Sequence, residues 1–75
     1  MTSISSKKTN AVAFGNYGIV LDRDQLCYYY EGKLTRVVEV GPAFTSVDLF
    51  KLATKISEKN SFGVVQFVHK SEIIK

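Results

Sequence analysis

LCYYYEGKLTRVVEV, residues Leu26 to Val40, reads as two strands joined by a tight turn. Neighbouring side chains on a strand point to opposite faces, so Tyr28, Tyr29 and Tyr30 cannot all enter one core. Gly32 in "EGK" supplies the positive-φ position of a hairpin turn. Gly41 and Pro42 end the second strand.

Outward from this hairpin the same grammar repeats. "AVAF" meets the turn signal "GNYG", "IVLD" follows, and "DRDQ" breaks the chain before the tyrosine strand. Downstream, Thr45 with Asp48 three residues later predicts a capping-box helix start. Leu49, Leu52, Ala53 and Ile56 fall at i, i+3, i+4 and i+7, one apolar stripe whose deepest anchors should be Leu52 and Ile56. Lys55 and Lys59 suit the negative helix end, and Asn60 is the expected left-handed C-cap. After "NSFG", "VVQFVH" predicts a fifth strand, prolonged by "SEIIK".

The expected order is therefore ββββαβ. The fold class is α+β, an antiparallel-dominated β-sheet of about five strands with one helix packed on one face. A helix of about 14 residues, roughly 21 Å long, can cross the sheet to the free edge of the first strand. That favours the strand order 4-3-2-1-5 over 1-2-3-4-5 through a right-handed crossover. Residues 1–9, rich in Ser, Thr and Lys, read as a disordered tail, and 10–75 as a single domain.

Each strand is apolar on both sides. Leu26, Tyr28 and Tyr30 oppose Cys27 and Tyr29; Ile19 and Leu21 oppose Val20; Leu34, Val38 and Val40 oppose Val37; Val64 and Val68 oppose Val65 and Phe67. A lone antiparallel sheet alternates apolar with polar, and one helix about 10 Å across cannot cover two faces. The C-terminal tail and long polar side chains shield the second face, or a small protein simply exposes apolar surface there, or the face serves self-association or a partner. Tyr28, Tyr29, Tyr30 and Arg36 are the candidate partner-binding residues, because tyrosine joins a large apolar body to a water-tolerant hydroxyl.

Chemistry is sparse. One cysteine, Cys27, excludes an internal disulfide framework and fits a reducing compartment. One Cys and one His, His69, cannot assemble a structural zinc site, so no metal or cofactor is expected. A Cys27–His69 nucleophile pair is outweighed by the ordinary role of a free cysteine as a small hydrophobe. Asp22 and Asp24 read as turn chemistry. "GKLT" lacks the earlier glycine and the following helix of a phosphate loop. The start of the chain has no apolar signal-like run, and no apolar run is long enough to span a membrane. A cytoplasmic, non-enzymatic protein is the expectation.

The net charge of +3 is mildly basic. Lys51, Lys55 and Lys59 recur every four residues as a ridge that could follow a phosphate backbone, and exposed tyrosines could stack bases. Asp48 and Glu58 on the same side offset that ridge. The leading expectation is a small protein–protein binding module whose partner is itself or an unidentified protein. It would act as a regulator or inhibitor, of a host or viral machine for instance, by occluding a site. The alternative is a weakly basic nucleic-acid binder.

Overall fold

The computed structural model describes residues 9–74. Four antiparallel strands, β1 (Ala11–Phe14), β2 (Tyr17–Asp22), β3 (Gln25–Tyr30) and β4 (Lys33–Glu39), precede the helix α1 (Ser46–Asn60). The two-residue strand β5 (Gln66–Phe67) and the short helix α2 (Lys70–Ile73) follow. The sheet order is β4-β3-β2-β1-β5, with β5 antiparallel to β1, so the helix does carry the chain to the free edge of β1. The predicted disordered tail lies, apart from Thr9, outside the described residues. Thr9 itself is engaged: its hydroxyl donates to the carbonyls of Ala11 and Val68.

Helix α1 starts as its sequence dictates. The Asp48 N–H donates to Thr45 Oγ1, and the Thr45 N–H donates to Asp48 Oδ2 at 3.0 Å. The Thr45 N–H and the Thr45 hydroxyl, both donating to Asp48 Oδ2, hold the Asp48 carboxyl below its ordinary pKa, helped by nearby Lys51. The helix ends one residue later than expected. Ser61, at φ 57°, is the left-handed residue, while Asn60 stays helical and its side chain donates to the Ile56 carbonyl. Asn60 thus caps a carbonyl with its amide rather than with its backbone.

The seat of the helix also differs from the expectation. Leu49, Ala53 and Ser57 are its buried residues, whereas Leu52 and Ile56 are only half-buried on the flank. Ala53 is small enough to let α1 settle onto β1 and β2, which rotates the deepest line to i, i+4, i+8. Ser57 is tolerated there because its hydroxyl donates to the Gly63 carbonyl, leaving no unpaired buried group. Val12, Phe14, Ile19 and Leu26 complete this core from the sheet, with Tyr28 and Val38 at its margin.

"SEIIK" is not a strand continuation. The Glu72 carboxylate accepts from the His69 N–H at 3.0 Å, which starts the turn of helix that forms α2. That turn swings Ile73 onto the second face of the sheet, where it packs with Ala11 and Val20 beside Cys27 and Tyr29. Part of the second face is therefore covered by the chain's own C-terminal segment.

The β3–β4 turn has both central residues at positive φ, Glu31 at 51° and Gly32 at 83°, the backbone of a type I′ hairpin. Glutamate is poorly suited to that region, whereas asparagine visits it readily. Glu31→Asn is expected to stabilise the fold by about 0.5–1 kcal/mol and to raise the thermal midpoint by a few degrees. A midpoint that stays put or falls would show that Glu31 makes a compensating contact.

Candidate interaction surface

The hairpin β3–β4 decides what the second face presents. Gln25 to Tyr28 pair with Glu39 to Arg36 in register, but Tyr29 pairs with Leu34 and Tyr30 with Lys33. Thr35 is the extra residue of a β-bulge in β4, and its hydroxyl donates to the Tyr28 carbonyl at 3.2 Å. Opposed residues of an antiparallel pair share a face. The bulge therefore turns Leu34 over. Strict alternation puts Leu34 with Val38; in the structure it joins Val37, on the side away from α1.

The candidate residues separate accordingly. Tyr28 sits at the edge of the α1 core and faces the same way as its cross-strand partner Arg36, which is exposed. Tyr30 also lies on the α1 side. Its ring meets that of Tyr17 at 4.8 Å, and Tyr17 meets Phe62 at 4.8 Å, forming an aromatic cluster at one end of the sheet. Tyr29 alone faces away from α1, packed at the margin of the Ala11–Val20–Ile73 cluster with Cys27. Burial, first, and then neighbouring Cys27 and Asp22 push the Tyr29 hydroxyl above its ordinary pKa, so it remains neutral at physiological pH. Tyr28, Tyr29, Tyr30 and Arg36 are thus not one surface.

Two residues that carry that surface were not among the candidates. Leu34 is 54% exposed and Val37 47% exposed, both on the edge strand and both beside half-buried Tyr29 and Cys27. Among the described residues Ile73 shields the β1–β2 half of this face and leaves Leu34 and Val37 on the β4 side exposed. An open groove of about 350 Å³ lies beside Tyr29, where Ile73 meets Gly18.

Lys51, Lys55 and Lys59 are all exposed on α1, away from the Tyr29 face. Cys27 and His69 do not meet. Cys27 pairs with Val20, Val20 with Ala11, and the segment bearing His69 bonds beyond Ala11, so roughly 10 Å of sheet intervenes. Asp22 and Asp24 flank Arg23, which takes the positive φ of the β2–β3 turn. Among the described residues no group of three or more His, Cys, Asp and Glu side chains could hold a metal ion, and no helix is long and apolar enough to cross a membrane. No family model matches the chain, and no curated protein or solved structure matches it either.

Proposed function

We propose that this chain is a small non-enzymatic protein–protein binding module that self-associates, and that it regulates or inhibits by occluding a site. The working surface is the β3–β4 half of the sheet face opposite α1. One observation carries this reading: Leu34 and Val37 stand exposed side by side next to Tyr29 and Cys27. Scattered exposed apolar side chains are ordinary, but a contiguous strip bordered by an aromatic residue is what interfaces use. Its polar border includes Gln25 and Glu39, which point the same way.

Sedimentation of the unmodified chain at micromolar concentration should give a species larger than one copy. Val37→Asp places a carboxylate in the strip and should shift that species to the monomer while leaving the melt nearly unchanged, because Val37 is outside both cores. Tyr30→Asp, on the α1 side, should not dissociate it. Two copies at +3 repel one another, so added salt should strengthen the association rather than weaken it. Binding of nucleic acid through Lys51, Lys55 and Lys59 would respond the opposite way. A nanomolar oligonucleotide complex near ~150 mM salt, abolished when all three lysines become Gln, would overturn this reading.

A further inference from the structure

Among the described residues strand β4 is a free edge seven residues long, and its backbone alternation is fixed at both ends. The Val40 N–H donates to the Asp24 carbonyl at 2.7 Å, so Val40 turns towards β3 and, by antiparallel alternation, Glu39 and Val37 turn outward. Lys33 closes the two-residue turn against Tyr30 and turns inward, which leaves Leu34 outward. Leu34 and Val37 therefore have outward backbone groups, a shared face and exposed apolar side chains.

We infer that the partner on this edge is a second copy of the chain. The two β4 strands pair antiparallel about a two-fold axis, with Leu34 of each copy opposite Val37 of the other. This rests on the self-association proposed above and names its geometry. Pairing Arg36 with Arg36 sets like charges face to face and brings together residues whose backbones turn inward. Centring the axis on Val37 puts Leu34 opposite Val40, which has an inward backbone and a side chain on the other face. Centring it on Leu34 puts Val37 opposite Glu31 in the turn. In the inferred register Arg36 meets Thr35 and Lys33 meets Val38, so no like charges stand directly opposed.

The bulge fits this register as well. A bulge bends its strand, and a bent edge pairs poorly with a straight one. Here Thr35–Arg36 of one copy meets Arg36–Thr35 of the other, so the two bends coincide at the axis. The same contact pair occurs twice, as a two-fold interface requires. The opposite edge of the sheet, β5, has only two residues, so assembly closes at two copies. The joined edges merge both Leu34–Val37 strips into one apolar band between the two Tyr29 side chains.

Cross-linking tests the register directly. Leu34→Cys and Val37→Cys are made separately in a Cys27→Ser background, and each is oxidised alone and in an equal mixture. Opposed residues lie ~5.5 Å apart between Cα atoms, within disulfide reach. Identical residues would lie three positions out of register, roughly 10 Å away and out of reach. A disulfide dimer should form in the mixture and not with either variant alone. In parallel, amide exchange at Leu34 and Val37 should slow as the unmodified chain is concentrated. Rapid dimers of Val37→Cys alone would replace this register by one centred on Val37. A dimer in sedimentation with no cross-link in any sample would overturn the edge pairing and leave the self-association standing. A monomer at all concentrations would remove both.

Discussion

Leu49→Ala should be the most damaging single substitution in α1, at about 2–5 kcal/mol. Leu49 is fully buried against Val12, Phe14, Ile19 and Leu26, the residues through which the helix meets the sheet. Truncation removes the transfer free energy of the side chain and leaves a cavity that a strand-backed core cannot easily close. A chain of 75 residues has a total stability of roughly 4–11 kcal/mol, so one such change can consume much of it. Leu52→Ala and Ile56→Ala should cost less, since both side chains are only half-buried. Urea unfolding of the three variants gives the order. If Leu52→Ala proved the worst and Leu49→Ala mild, α1 would be seated on a different stripe.

That ordering also marks where the sequence stops being legible. Apolar periodicity located the helix, and Thr45 with Asp48 located its start, because both signals are local. The seat depends on Ala53 and Ser57, whose small size matters only once a sheet lies beneath them. Ser57 is invisible to an apolar pattern, since its acceptor, the Gly63 carbonyl, is brought near by the fold. Strand order followed from helix length against sheet width, a global constraint that needs no side-chain detail.

The candidate surface was legible in part. Two-sided apolar strands pointed to a second face that α1 could not cover, and Tyr29 falls on it. Strict alternation puts Leu34 on the wrong side because it assumes an unbroken ladder. One bulge residue, Thr35, with no special composition, reverses everything between itself and the turn. Ile73 was hidden for a similar reason: a capping contact between Glu72 and the His69 backbone turns an apolar tail into a helix that folds back.

Gly18→Val should cost about 1.5–3 kcal/mol, the scale of one isoleucine side chain returned to water. Gly18 lies in β2, buried beneath α2, and a Cβ there would stand 2.8–2.9 Å from three side-chain atoms of Ile73. Two groups cannot occupy that space. Gly18 has no positive φ and its backbone is already that of a strand, so valine adds no backbone strain of its own. The cost therefore falls on the α2 contact. Ile73 should be expelled, the Ile74 N–H should lose its bond to the Lys70 carbonyl, and amide exchange there should accelerate. The α1 core lies on the opposite face and should keep its protection. Ile73→Ala alone should destabilise by a comparable amount, because Ile73 is 7% exposed. Combined, the two changes should cost clearly less than the two single losses together, since the smaller side chain makes room for the valine. Thermal or urea melts of the four chains close the cycle. Strict additivity would mean that Ile73 does not rest on Gly18, and that the second face is open from β1 to β4.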